Sequence, residues 1–142
     1  DYEFIKFPDE NKIILPFYGW AQCGNNWSDI LEDYPKEKLE IDTELNNIKI
    51  KQNQKYFVTR AKGKSMEPEI KSWDNLLIRM EKNYNFNDNF LLIHKEKPKV
   101  KKIKQEAGKI FLISLNPDFP DLEIKKEDSI DIIWVVENVI KF

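Results

Sequence analysis

YFVTRAKGKSMEPEIKSWDNLLIRME, residues 56–81, has a strand–turn–strand pattern that indicates the fold class of this chain. Two runs within it, Tyr56–Ala61 and Asn75–Glu81, are rich in apolar, β-branched and aromatic side chains and are predicted to be strands. Between them, Gly63 allows the backbone to turn sharply. Ser65 is therefore expected just past a strand end, on a loop held by rigid strands, where functional side chains tend to occur.

Outward from this segment, the chain repeats short runs of the same kind, separated by turn residues. The other predicted strands are Lys12–Leu15, Asn47–Lys51, Phe90–His94, Lys99–Lys104, Ile110–Leu115 and Ile130–Val136. A helix is predicted at Trp27–Asp33, with Asn26 as its N-cap. The polar stretch around it, Asn25–Glu44, is expected to run over the surface. The sequence thus predicts a mostly β domain with at most short helices.

Composition limits the classes of function. With 142 residues, 41% of them hydrophobic, the chain fits one domain with one core. Its formal charge of −2 gives no general reason to bind nucleic acid or membranes, and no run approaches the roughly 20 apolar residues of a membrane-spanning helix. A single cysteine excludes an internal disulfide, and a single histidine argues against a His/Cys metal site. We expect a cytoplasmic protein with no cofactor and no metal.

Ser65 and Lys101 are the residues with candidate chemistry. A serine in a Gly-x-Ser turn is more often a capping residue, and as a nucleophile it needs a base. The lone histidine, His94, is more often structural, whereas a lysine serves when burial lowers its pKa, by up to roughly 3–5 units. Strand alternation places Lys101 on one face with Ile103, while its lysine neighbours face the other way. The residues alone leave open whether Lys101 is a desolvated base or an exposed edge-strand lysine.

The region from 95 to 109 is dense in lysine. A patch of this kind is able to contact phosphates. The acidic residues nearby favour the simpler interpretation, in which the outward lysines are solvated.

Three stretches carry a family resemblance: Gly63-Lys64-Ser65-Met66-Glu67-Pro68, Val100-Lys101-Lys102-Ile103 and Asn116-Pro117-Asp118-Phe119. Together they resemble the LexA-type serine peptidases, the family of the LexA repressor, lambda-type phage repressors and the mutagenesis protein UmuD. The lysine falls 36 positions after the serine (101 − 65). The resemblance covers the chain after about residue 13. It implies a LexA/signal-peptidase-like twisted β-sheet (β-clip-like) fold.

The resemblance also implies roles for individual residues. Ser65 corresponds to the nucleophile, Lys101 to the general base, and the backbone N–H groups of Lys64 and Ser65 to the oxyanion hole. Members of the family cut an Ala-Gly or Cys-Gly bond in their own chain, and Cys23-Gly24 stands at the matching place. The alternative for this pair is an ordinary cysteine beside a turn glycine.

The resemblance implies a single peptidase and dimerisation domain over 1–142. We expect a cleavage-site segment at 1–25, a surface excursion at 26–45 and a catalytic core at 46–142. The family's N-terminal DNA-binding domain is absent from this chain, so DNA contact is expected only through such a domain. The expected partners are a second copy, joined through the C-terminal strands, and a RecA-like activator. No membrane partner is expected.

Three functions follow as alternatives: a self-cleaving serine endopeptidase domain of a transcriptional or stress-response regulator, a catalytically silent dimerisation module of a repressor, and a signal-peptidase-like protease acting on other proteins. Two features depart from the family. Trp73 replaces the usual glycine of a Gly-Asp pair, which favours the silent module. Gly24 and Ser65 are 41 positions apart (65 − 24), a longer spacing than close relatives are expected to have.

Overall fold

The computed structural model describes residues 5–6, 11–20, 37–81, 85, 87–95, 97–128 and 130–142. Its strands are β1 (Ile5–Lys6), β2 (Lys12–Trp20), β3 (Glu37–Asp42), β4 (Tyr56–Arg60), β5 (Asn75–Arg79), β6 (Asn89–His94), β7 (Lys97–Glu106), β8 (Lys109–Ile113), β9 (Leu122–Ile124) and β10 (Ile130–Ile140). None of the described residues is helical, so none forms a helix able to cross a membrane. The predicted mostly β sheet fold is confirmed.

The strands form one continuous array in the order β1-β2-β4-β5-β10-β6-β7-β8-β9, and β3 pairs with β2. All neighbours are antiparallel except β2 and β4, which run parallel. The last strand, β10, lies in the middle and is hydrogen-bonded on both edges, to β5 and to β6.

The central strands are buried on both faces, which explains their nearly continuous apolar sequences. In β4, Phe57 packs in one cluster with Leu76 and Met66, while Tyr56 and Val58 pack on the opposite side. Successive side chains of β4 thus point alternately into two layers of the hydrophobic core. The first layer also holds the loop that carries Ser65.

Two sequence predictions are corrected. The predicted strand Asn47–Lys51 is the end of a turn followed by an irregular segment. The Asp42 carboxylate accepts the backbone N–H groups of Glu44 and Leu45 and so closes the turn, and Asn47 ends it with φ 51°, outside the β region. Part of the predicted surface excursion is strand β3, which pairs with β2 and buries Ile41 completely.

Other predictions fall where no structure is described. The helix Trp27–Asp33 with its cap Asn26, and the cleavage pair Cys23-Gly24, lie outside the described residues. Strand β9 was not predicted. It is three residues long and pairs only with β8, so it has little sequence signal of its own.

Strands β7 and β8 form a tight hairpin that determines the register near Lys101. The two residues between them, Ala107 and Gly108, have φ values of 51° and 76°, as two-residue hairpin turns require. Glu106 then faces Lys109, and Lys102 faces Ile113. One step further along the same register, Lys101 comes opposite Ser114.

Candidate active site

The loop after β4 carries Ser65 and is anchored at both sides. Gly63 turns the backbone at φ 105°, and its N–H donates to Ser72 Oγ at 3.1 Å. Met66 and Ile70 bury their side chains in the core, each only 4% exposed. The Ile70 N–H donates to the Met66 carbonyl at 2.9 Å. Because apolar anchors follow the serine directly, Ser65 lies on a fixed loop, half-buried at its surface.

A second loop, after β8, clamps the first. The Asn116 N–H donates to the Ser65 carbonyl at 2.9 Å, and its side-chain amide donates to the Lys64 carbonyl at 2.8 Å. The Leu115 N–H reaches Met66 Sδ at 3.5 Å. Three contacts from consecutive residues hold the two loops in one relative position, so the β7–β8 hairpin and the serine loop form one unit.

Lys101 enters this unit from β7. Its Nζ donates to Ser114 Oγ at 2.7 Å, within the range of a strong hydrogen bond. The same Nζ lies 5.9 Å from the centre of the Phe119 ring, at the limit of a cation–π contact. Lys101 is half-buried, and its strand partner Phe90 is fully buried. The amine is therefore held in a defined place against apolar neighbours.

Ser65 and Lys101 line the same cavity, whose volume is about 510 Å³. Apolar side chains from both loops and from β7 and β8 form most of its wall, among them Met66, Val100, Leu112, Phe119 and Leu122. Within the described part of the chain, no hydrogen bond joins the Ser65 hydroxyl to the Lys101 amine. The structure brings the two residues to one cavity, with the lysine oriented by Ser114.

The cavity is rich in lysine, and Lys101 is half-buried in its wall. Among the residues that the structure describes, its lining contains no carboxylate and four lysines: Lys62, Lys64, Lys99 and Lys101. Burial lowers the pKa of Lys101, and the charge of Lys99 lowers it further. Both effects increase the fraction of neutral amine, the form that accepts a proton.

The predicted oxyanion-hole groups lie at the same cavity. Lys64 and Ser65 both line it, and their backbone N–H groups have no hydrogen-bond acceptor among the residues that the structure describes. The roles given to Lys64, Ser65 and Lys101 stay predictions, since position alone does not test them. No group of three or more His, Cys, Asp or Glu side chains that could bind a metal occurs in the described ranges.

Sequence reasoning missed Ser114 and Asn116 as site residues. A signal for Ser114 was present: an Ala-Gly turn between two β runs predicts a two-residue hairpin, whose register places position 114 opposite 101. Asn116 belongs to a stretch that carries the family resemblance, but its role could not be predicted, because its contacts with Lys64 and Ser65 join segments that are distant in sequence.

Trp73, the departure from the family pattern, lies at the base of the serine loop. Its backbone has φ 79°, a conformation that favours glycine, and its N–H donates to the Ala61 carbonyl at 2.8 Å. The side chain is 59% exposed. The turn therefore keeps a geometry typical of glycine while presenting an indole at the surface.

A comparison with protein families identifies one match. The family model described as Peptidase S24-like matches residues 16–136, which is most of the chain and includes both loops of the cavity. No curated protein sequence matches the chain significantly.

Proposed function

Since the chain belongs to the Peptidase S24-like family and is a LexA/UmuD-type peptidase domain, we propose that it is a serine endopeptidase that cuts its own Cys23-Gly24 bond. Ser65 is the nucleophile and Lys101 the general base. The observation that carries the proposal is the shared cavity, in which a half-buried, oriented lysine amine and a serine hydroxyl line one wall.

In the first step, Ser65 Oγ attacks the Cys23 carbonyl carbon while its proton passes to Lys101 Nζ. The backbone N–H groups of Lys64 and Ser65 donate to the oxygen as it becomes an anion. The tetrahedral intermediate then breaks its C–N bond, and the Gly24 nitrogen leaves as an amine with the proton from Lys101. An ester on Ser65 remains.

In the second step, water attacks the ester carbonyl and gives a proton to Lys101. The C–O bond to Ser65 breaks, the serine oxygen recovers that proton, and Cys23 is released with a free carboxyl group, which then loses its own proton to solvent. Lys101 ends neutral, as it began. Because the base must start without its proton, the cavity has to disfavour the ammonium form, and the burial of Lys101 has that effect.

The cavity wall also supports the proposed type of substrate. An extended segment is able to fit beside apolar side chains such as Val100 and Leu122, and glycine after the scissile bond adds no side chain that would collide with the loops. Cleavage would separate this domain from whatever regulatory segment precedes Cys23. A transcriptional or stress-response regulator is the biological setting that we propose.

Cleavage should depend steeply on pH. Incubated between pH 6 and 10, the purified chain is expected to yield fragments 1–23 and 24–142. The first-order rate should rise about tenfold per pH unit until it levels off at the pKa of Lys101. Since that pKa is lowered, the plateau should begin below the ordinary lysine range near 10.4. Mass spectrometry of the fragments identifies the bond that is cut, and a series of rate measurements over pH gives the slope and the plateau.

The same experiment separates the competing functions. A first-order rate that is constant over a hundredfold range of protein concentration indicates cutting within one chain, whereas a rate that rises with concentration indicates a protease acting on other molecules. If no fragment appears at any pH or with a RecA-like filament added, the enzyme proposal is wrong and a catalytically silent dimerisation module is favoured.

Ser114→Ala should slow cleavage without altering the fold. The substitution removes the acceptor that orients the Lys101 amine at 2.7 Å. A hydrogen bond of this kind contributes about 1 kcal/mol, so the plateau rate should fall about fivefold to tenfold. Ser114→Thr keeps a hydroxyl and should restore most of the rate. Equal rates in the alanine variant and the unmodified chain would show that Ser114 does not orient the base.

A further inference from the structure

Lys99 is a second half-buried lysine on the wall of the cavity, and its amine contacts a group outside the cavity. Its Nζ lies 3.0 Å from His94 Nδ1. His94 is only 2% exposed, and its Nε2 lies 3.7 Å from Asp128 Oδ2, within ion-pair range but longer than a hydrogen bond. A row of three polar groups therefore begins at the cavity with Lys99 and continues through His94 to Asp128.

The positions of the protons on Lys99 and His94 follow from the geometry of these contacts. An ammonium group has only donors, so the Lys99 ammonium donates to His94 Nδ1, and the ring proton then lies on Nε2, facing the Asp128 carboxylate. Burial, followed by the charge of Lys99, lowers the pKa of His94 and keeps the ring neutral. A neutral ring accepts from Lys99, which favours the charged form of Lys99.

Lys99 and Lys101 are two positions apart on β7, so their side chains share one face, with their backbones about 7 Å apart. Both line the cavity. Two positive charges that line one partly desolvated cavity disfavour each other, and the pair releases its first proton more easily than an isolated lysine. The imidazole acceptor favours retention of the proton on Lys99, whereas Lys101 has only a hydroxyl acceptor and a distant ring.

We propose that Lys99, held by His94 and Asp128, is a positioning residue that acts through Lys101 by disfavouring its ammonium form. This inference rests on the proposed role of Lys101 as the base. As the pH rises, Lys101 loses its proton first, and Lys99 keeps its proton to higher pH. Burial and the Lys99 charge are the two causes that lower the Lys101 pKa.

The charged groups around the pair come from several segments. Among the described residues they are Lys62 and Lys64, which line the same cavity from the serine loop, His94 at the end of β6, Lys95 directly after it, Lys97 at the start of β7, and Asp128 from the turn before β10. Asp128 is the carboxylate in this set, and it lies behind His94 and outside the cavity lining. Burial lowers the pKa of Lys99, and the charges of Lys95 and Lys97 lower it further. Lys99 should therefore keep its positive charge best at pH values below the ordinary lysine pKa near 10.4.

The test compares Lys99→Met, which removes the charge and keeps an unbranched apolar stem, with Lys99→Arg, which keeps the charge. For Lys99→Met, the rising part of the pH–rate curve should move about one unit toward higher pH. The cleavage rate below the plateau should fall about tenfold at fixed pH, with the plateau rate unchanged. Lys99→Arg should behave as the unmodified chain does. Lys102→Met removes a neighbouring charge on the opposite face and should shift the curve little.

A second measurement does not depend on cleavage. The pH dependence of Lys101 acetylation by acetic anhydride, followed by peptide mass spectrometry, reports the Lys101 pKa directly, and Lys99→Met should raise it by the same unit. If the chain does not cleave but this shift is found, the proposed function fails, whereas the effect of Lys99 on the Lys101 pKa stands. An unchanged Lys101 pKa in Lys99→Met, or an equal change in Lys99→Arg, would overturn the inference.

Discussion

Ser65→Ala is expected to abolish cleavage, with a loss of at least about 10⁴-fold in rate, because the variant has no oxygen to attack the scissile carbonyl. Lys101→Met should cause a loss of similar size. The methionine has nearly the same length as lysine and is apolar, but it cannot accept the serine proton. The double variant should be no slower than either single one, since the two groups act in one step. Fragment yield at the plateau pH measures all three.

Two controls separate chemistry from folding. Lys104→Met replaces an exposed lysine on the opposite face of β7, whose amine pairs with Glu106 at 2.8 Å, and it should cleave at the normal rate. Thermal unfolding of Ser65→Ala should match that of the unmodified chain. Measurable cleavage in Ser65→Ala would identify another nucleophile and contradict the proposed mechanism.

Of the substitutions proposed for this protein, Phe57→Ala should lower the free energy of unfolding most. The Phe57 side chain is completely buried beneath the serine loop, and its ring meets Tyr18 and Trp134 edge-on at 5.4 Å. Removing the ring creates a cavity between strands that are closely packed on both faces, so the free energy of unfolding should fall by about 3–5 kcal/mol. Urea denaturation followed by tryptophan fluorescence measures the loss.

Matched substitutions test the cause of that loss. Phe57→Leu keeps much of the apolar volume and should lose less than half as much stability as Phe57→Ala. Phe142→Ala removes the same ring from a position that is 67% exposed and should change stability by less than about 0.5 kcal/mol. A loss below about 1 kcal/mol for Phe57→Ala would mean that the packing beneath the loop is not as described.

The strands β4, β5, β6, β7 and β10 could be predicted from sequence because their signals are local. Apolar runs and alternation act within a few residues, so β4 was predicted to within one residue of its observed end. Alternation also separated Lys101 from Lys102 correctly, since the first lines the cavity while the second donates to the Asn87 carbonyl. The errors came at turns, where Asp42 closes the chain through its side chain.

The amino-acid pattern was enough to predict the central strands, the position of Ser65 past a strand end, and the face of β7 on which Lys101 lies. It could not predict what those residues contact: the clamp of Asn116 on the serine loop, the Ser114 acceptor at Lys101, and the contact of Lys99 with His94. The difference is one of range. Strand propensity and alternation act between neighbours along the chain, whereas the environment of a buried amine depends on strand register and on segments brought together by packing.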